Sequence, residues 1–512
     1  MSSQSPDLAL SRPYSLDAIT RDARITAATL GRRSDPDRNG RRVLTHDEAM
    51  ALANTIVSMA TEPALGVEVD HRVTTIARIT QSNQVACAEV DRLRLSFTTH
   101  LGGALEVDIN SNVRDLTTLK RVVKHAEARL TPPIRKEDEE EDDPDDPMHT
   151  ALGARTYLPV TMWRETTQRA MNELQGDTIA RMIAVMQRSN FNCAAMVGLL
   201  SRVKLRMSTM GKAAWGEETD SEITVTARTP DGKASGWSGQ ASRDWSKLHP
   251  EMVAQQAIDM ANRNRGAVRM EPGRYTTILG AAAVGTLLSE MRSLFDIGAL
   301  GPFHLGTSTD GKKTKIGQRV FDTRISLVSD PADPEYGDYP FFDNGYPSGK
   351  ATWVENGVLK TLACTPGDAM MLGRTPIKLP DAICMSGGAT SIEEMIAQCE
   401  RGIYVHRLSS VELADQLSGA MLGTTRDGCF LIKNGKIHSP ITNFRFYESP
   451  FIAFNKVLAI GVPERVAFGP PSPAAMRYLS YDDPMDLWPK PPIVVPPLMV
   501  QDFNFSALAD AV

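Results

Sequence analysis

The chain has 512 residues, a formal net charge of −6, and 23% charged against 42% hydrophobic residues. That balance is ordinary for a folded globular protein and excludes a disordered, collagen-like or disulfide-stapled chain. At about 150 residues per domain the length suggests several domains, each able to bury a core.

The slight acidity, with no block of Lys and Arg, argues against a nucleic-acid partner, because counterion-driven binding needs cations clustered on one face. The opening segment, MSSQSPDLALSRPYS, lacks the basic and apolar regions of a leader, and no stretch reaches the roughly 20 apolar residues of a membrane-spanning helix. Neither a membrane nor nucleic acid is therefore expected as a partner. The cysteines Cys87, Cys193, Cys364, Cys384, Cys399 and Cys429 are scattered, which suits a reducing, cytoplasmic location.

Residues 1–43, rich in Arg, Ser, Asp and Pro, read as an N-terminal arm. Thr45 and Glu48 have capping-box spacing, so a helix is expected over about Thr45 to Ala60. Beyond Gly66 the period becomes two: Leu93, Leu95 and Phe97 alternate with polar residues, as do Leu105, Val107 and Ile109. Gly102 and Gly103 between these runs predict a hairpin. Leu116, Leu119, Val122, Val123 and Ala126 then restore helical spacing and define a helix covering one sheet face.

The run 136–147, KEDEEEDDPDDP, is too self-repelling to pack and reads as a solvated acidic loop; it lacks the glycine and distal glutamate of a calcium loop. A helix is expected over about Met162 to Met186. Strands follow around Ile223 and Val225, with a turn at Pro230-Asp231-Gly232, and then a helix over about Pro250 to Asn264. The MEPGR segment (residues 270–274) marks a boundary between an N-terminal α+β domain, 44–269, and a C-terminal domain, 270–512.

The second half reads as mainly β. Asn356-Gly357 and Asn434-Gly435 place the type I′ pair between strand-like runs and predict two hairpins. The proline-rich stretch Pro489 to Pro497 argues against a helix or central strand, and LMVQDFNF after it predicts a final edge strand. The fold class expected is α+β: an N-terminal α/β domain of antiparallel strands with covering helices, and a C-terminal mainly-β domain with a curved sheet.

Motifs for nucleotide hydrolysis (GxxxxGK[ST]), zincin chemistry (HExxH), CxxC metal binding and the GxSxG elbow are absent from the sequence. His304, His406 and His438 share the second half with four cysteines, which leaves open a metal site assembled from distant positions; isolated His and Cys are more often ordinary core or surface residues.

Five phrases in the second half occur in a suggestive order: PGRYTTILGAAAVGTLLSEM from Pro272, YPFFDNGYPSGKATWVENGVLKTL from Tyr339, CERGIYVHRL from Cys399, GTTRDGCFLIKNGKIHSPITNFRF from Gly423, and PPLMVQDFNFS from Pro496. Together with VEVDHRVTTIARITQSNQV from Val67, this chain resembles the TldD/TldE (PmbA) family of peptidase subunits from about Gly66 onward. The resemblance implies a two-domain subunit and an intracellular peptidase acting on small or unfolded peptides and maturing peptide natural products. In that family the TldD-type subunit carries HExxxH on the helix after the strand matching YTTILG, with a late cysteine, and holds zinc. The TldE-type subunit lacks these ligands and pairs with it.

In the same register the histidine positions fall on Ser289 and Leu294, with Glu290 between them, and no cysteine follows Cys429. Leucine has no lone pair to offer a metal and a serine hydroxyl is a poor zinc ligand. Glu290 reads as a solvated or salt-bridged helix residue unless it acts as a base; Ser289 has no oriented histidine to make it a nucleophile.

Gly387 and Gly388, with Gly423, Thr424, Thr425 and Arg426, are the peptide-binding candidates, since glycines admit another backbone and Arg426 suits a carboxylate; the alternative is that they simply close turns. The resemblance thus implies a metal-free TldE-like subunit with no catalytic residue of its own, paired with a zinc-bearing TldD-like subunit and acting on peptides. The alternatives are a zinc-independent biosynthetic tailoring enzyme on the same scaffold, or a regulatory binding protein.

Overall fold

The computed structural model describes residues 14–15, 41–61, 65–80, 85–98, 104–109, 116–130, 156–173, 177–208, 213–299, 301–304, 313–342, 345–469 and 490–509. The acidic loop 136–147, most of the arm 1–43 and the Gly102-Gly103 turn lie outside the described residues.

The N-terminal half is one seven-stranded sheet with helices on one face. In chain order its elements are β1 (Tyr14–Ser15), α1 (His46–Met59), β2 (Gly66–Ile79), β3 (Val85–Thr98), β4 (Ala104–Ile109), α2 (Leu116–Leu130), α3 (Glu165–Glu173), α4 (Asp177–Arg188), β5 (Asn192–Ser208), β6 (Ala213–Arg228), β7 (Ser235–Ser242) and α5 (Pro250–Arg263). The strands run in the order β1-β4-β3-β2-β5-β6-β7, antiparallel except for β1 beside β4. Thr45 and Glu48 close the expected capping box at the start of α1. The helix expected over Met162 to Met186 is instead two helices, α3 and α4, with Gly176, a residue that disfavours helix interiors, between them.

Because side chains alternate along a strand, the sheet has two distinct faces. Val67, Val69 and Val73 of β2, Val203 and Leu205 of β5, and Ile223 and Val225 of β6 point to the helices and form a continuous core with Leu52, Ile56, Leu119 and Val253. The opposite face carries Glu68, Asp70 and Arg72 of β2, Arg202, Lys204 and Arg206 of β5, and Glu218, Asp220 and Glu222 of β6.

The C-terminal half comprises β8 (Gly273–Leu279), α6 (Ala281–Met291), β9 (Leu327–Ser329), β10 (Ala351–Glu355), β11 (Val358–Leu359), α7 (Pro366–Leu372), β12 (Ile383–Met385), α8 (Ile392–Gln398), β13 (Arg401–Asp415), β14 (Ala420–Lys433), β15 (Lys436–Pro440), β16 (Phe444–Glu448), α9 (Pro450–Ala453), β17 (Val457–Ile460), β18 (Glu464–Arg465), β19 (Ile493–Val495) and β20 (Leu498–Leu508). Strands β13, β8, β20, β16 and β14 pair in succession, and β13 pairs again with β14, so this sheet closes into a barrel-like ring. A second sheet, β11-β10-β9-β12-β19-β18, lies alongside. A separate core drawn from Leu279 to Phe505 includes Trp353, Phe295, Phe303, Phe321 and Phe444, with Phe295 and Phe303 centroids 4.7 Å apart. Both Asn-Gly pairs sit at two-residue hairpins with positive φ, as expected.

The last strand departs from expectation. β20 is no edge: it lies between β8 and β16. The proline-rich stretch likewise holds an interior strand, β19, between β12 and β18. Its prolines flank Ile493–Val495 and so remove no ladder donor from within the strand.

Gly236 of β7 lets α5 pack against the sheet, since a Cβ there would overlap the amide nitrogen of Ala261 and the carbonyl oxygen of Ala257. Gly236→Ala should cost about 1–3 kcal/mol, whereas Gly349→Ala, with open space around it, should stay within about 0.5 kcal/mol. Urea midpoints with unchanged slopes would check both.

Candidate functional site

The charged face of the N-terminal sheet is covered by the C-terminal half, and its charges are paired. Arg202 holds Asp70 through Nε (2.9 Å) and Nη2 (2.5 Å). Arg243 reaches Glu218 at 3.0 Å and donates to the Gly337 carbonyl at 2.6 Å. Arg465 of β18 binds Asp220 at 2.5 Å and Glu335 at 3.0 Å, with its side chain only 7% exposed. Burial would raise the Asp70 and Glu218 carboxyls, but Arg202 beside Asp70 and Arg243 beside Glu218 hold both below the usual range.

Between that face and α6 with β13 and β14 lies a cleft of about 990 Å³. The N-terminal half lines it with Arg72, Arg202, Lys204 and Glu218. The segment after β9 adds Tyr339, whose ring lies 5.9 Å from the Arg202 guanidinium and 5.5 Å from Lys204 Nζ, a cation–π arrangement. Lys378 Nζ bridges Asp338 (2.7 Å) and Asp381 (3.0 Å). Burial raises the Asp338 carboxyl despite that partner, whereas Asp381, also near Arg292, is held down against the effect of its own burial. One ammonium serves two acids, so one of them retains its proton more readily.

The α6 positions singled out in the sequence diverge here. Ser289 and Glu290 line the cleft. Burial raises the Glu290 carboxyl, opposed by Lys490 and Arg292. Leu294 does not line it: α6 gives way to a 3₁₀ turn, Arg292–Phe295, and Leu294 is 1% exposed within the core.

The peptide-binding candidates are also separated. Arg426 lines the cleft. Gly423 and Thr424 lie in β14, paired with β13 on one side and β16 on the other, and Thr425 is buried, its hydroxyl donating to Asn443 Oδ1 at 3.1 Å. They offer no open strand edge, because the closed ring occupies both sides. Gly387 and Gly388 are pressed against Pro463 and the Ile460 carbonyl, and the Gly388 amide donates to Gly461 at 2.8 Å, so the backbone they admit is the chain's own.

A bulge in β13 does face the cleft. Pairing with β14 shifts register between Ser409 and Glu412, Ser410 has φ 50°, and Ser409, Ser410 and Val411 line the wall. Below them Arg407 pairs with Asp427 at 2.8 Å. The sequence reading missed Arg202, Lys204, Arg292, Lys378, Arg407 and Lys490. The period-two charges Glu68/Asp70/Arg72, Arg202/Lys204/Arg206 and Glu218/Asp220/Glu222 would have shown that both sheet faces are used.

Residues 272–507 match the PmbA/TldA metallopeptidase C-terminal domain. Over this segment the chain is similar to the TldD/PmbA family. A metalloprotease TldD homologue of Buchnera aphidicola is 26% identical over 232 residues, covering 42% of this chain and 45% of that protein. A metalloprotease of Archaeoglobus fulgidus is 23% identical over 195 residues, 36% of this chain and 44% of that protein. The chain thus spans about half the length of these relatives. The crystal structure of TldE from Thermococcus kodakarensis superposes with a TM-score of 0.67 at 14% identity, covering 89% of this chain and 99% of that one, which establishes likeness of fold.

Zinc, which the metallopeptidase family implies, does not fit the α6 donor set: Ser289 and Glu290 supply oxygen, while Leu294 supplies none and is sealed in the core. Among the described residues no three His, Cys, Asp or Glu side chains converge as a metal set. His304 Nε2 faces the Ile297 carbonyl at 3.0 Å. His406 sits between Tyr404 and the Trp237 carbonyl, its pKa pushed by burial to about 4. Cys429 is buried and its thiol raised to about 12.

Glu290 gives a signed pH dependence. Its folded pKa is raised above the unfolded 4.5, so the unfolded chain releases the proton first and Glu290 costs stability as pH rises past that value. Glu290→Gln should therefore stabilise the protein at neutral pH, with the gain vanishing below about pH 4. Thermal midpoints measured across that range would show a constant difference if Glu290 were fully solvated.

Proposed function

We propose that this chain is a zinc-free, TldE-like subunit that pairs with a zinc-bearing TldD-like subunit in an intracellular peptidase acting on small or unfolded peptides, with maturation of peptide natural products as its setting. The observation that carries this reading is the divergence on α6: Leu294 is buried in the core while Ser289 and Glu290 still face a large cleft. The chain supplies wall and interface; the partner supplies the metal and the hydrolytic step. Within this wall the Ser409–Val411 bulge and the Arg426 side chain are the surfaces presented to an extended peptide. The fold likeness to TldE supports the assignment to that side of the pair.

Glu290 favours a second reading, a zinc-independent tailoring enzyme on the same scaffold. A carboxyl whose pKa is raised by burial and that lines a cleft is suited to proton transfer.

Native mass spectrometry of the tagged chain isolated from its own host separates the two. A complex with a second subunit of similar size and one zinc per pair is expected, with no zinc on this chain after dissociation. Stoichiometric zinc and peptide cleavage by this chain alone would overturn the proposal, and turnover after exhaustive chelation without a partner would favour the second reading.

A further inference from the structure

The cleft carries opposed charges, and their pairing is uneven. Among the described residues nine Arg and Lys side chains line it against five Asp and Glu. Four of the acids are already held: Glu218 by Arg243, Asp220 by Arg465, and Asp338 with Asp381 by Lys378. The fifth, Glu290, is biased by burial toward its neutral form. Arg202 and Arg407 are matched from behind by Asp70 and Asp427.

Three cations reach the same cleft from separate elements. Arg292 comes from the turn after α6, Arg426 from β14, and Lys490 from the segment before β19. Arg292 is anchored by donating from Nη1 to the Asp381 carbonyl at 2.7 Å, and its Nε is buried with no hydrogen-bond partner among the described residues. Arg426 lies 3.9 Å from the Asp427 carboxylate and keeps its side chain 28% exposed. Lys490 Nζ sits 5.1 Å from the Phe468 ring centroid, which restricts its ammonium to the cleft wall.

A cleft lined by an excess of one charge between low-dielectric walls concentrates ligands of the opposite sign, even in a chain whose net charge is −6. Guanidinium groups pair with carboxylates through two parallel N–H donors, and such bonds are about twice as strong as neutral ones. Resting on the peptide reading above, we infer that the cleft selects peptides bearing carboxylates, with Arg292, Arg426 and Lys490 as the recognising cations. Glu or Asp side chains and a free C-terminal carboxylate share this chemistry; either would dock beside the Ser409–Val411 bulge.

The test is fluorescence anisotropy on the full chain with three labelled six-residue peptides, alternating Glu-Ala, Gln-Ala and Lys-Ala, each as the C-terminal amide, plus the Gln-Ala peptide as the free acid. The Glu-Ala peptide should bind about tenfold more tightly than Gln-Ala, as expected for about 1.4 kcal/mol of added pairing, and the preference should shrink as salt is raised. Tighter binding of the Gln-Ala free acid than its amide would assign recognition to the chain end; equal binding would assign it to acidic side chains. Arg426→Gln and Lys490→Gln, checked for unchanged thermal midpoints, should each weaken Glu-Ala binding about fivefold and so narrow the preference for Glu-Ala over Gln-Ala.

Equal affinity for the Glu-Ala and Gln-Ala amides, with no gain for the free acid, would overturn the inference while leaving peptide binding intact. Acidic-peptide binding untouched by both substitutions would also overturn it, by placing the site elsewhere. Binding of none of the peptides would overturn it together with the peptide reading.

Discussion

Arg465 sits where the two halves meet, its guanidinium held by Asp220 from one and Glu335 from the other, with Arg465 and Asp220 sheltered from water and Glu335 partly exposed. A buried charge is tolerated only with a partner, and removing one member of such a pair costs about 3–5 kcal/mol. The same constraint extends across the sheet through Asp70 with Arg202 and Glu218 with Arg243. The Arg465–Asp220 pair, the Arg243 bond to the Gly337 carbonyl and the apolar cluster of Met162, Ala214, Tyr339 and Phe341 tie the charged face to the C-terminal half. Without these ties there would be no cleft of defined shape.

The cleft is therefore polar by construction. One wall is a strand face whose residues alternate with the core residues of the same strands, so its position follows from the core it backs. The other wall is α6 and the bulged stretch of β13. After Ser289 and Glu290, α6 turns into a 3₁₀ turn and commits Leu294 to the aromatic core around Phe295 and Trp353. Ser289 and Glu290, one turn earlier, remain in the cleft.

The elements legible in the sequence were those governed by local chemistry. The capping box at Thr45, the two Asn-Gly hairpins and the Pro250 helix follow from residues only a few positions apart. The fold class was legible from the change of period and from the family phrases. Less legible was the place of each strand in its sheet. β20 alternates like an edge strand yet lies centrally, because barrel closure brings β8 and β16 to its two sides from distant parts of the chain. β19 is enclosed for the same reason. The surroundings of the glycine candidates were not legible either: Gly387 and Gly388 lie against Pro463 and the Ile460 carbonyl, and Gly423 against the Phe446 and Val411 side chains.

By itself the sequence determined the class of fold and the resemblance to the PmbA/TldD family, since each rests on residue identity and short-range spacing. Only the tertiary structure decided that Arg202, Lys378, Arg426 and Lys490, drawn from four separate segments, share one cleft with Glu290 while Leu294 does not. The physical reason is that electrostatic neighbourhood depends on distance through space. Composition averages these charges to a slightly acidic chain, whereas folding pairs most of the acids of the cleft and, among the described residues, gathers more cations than acids along it.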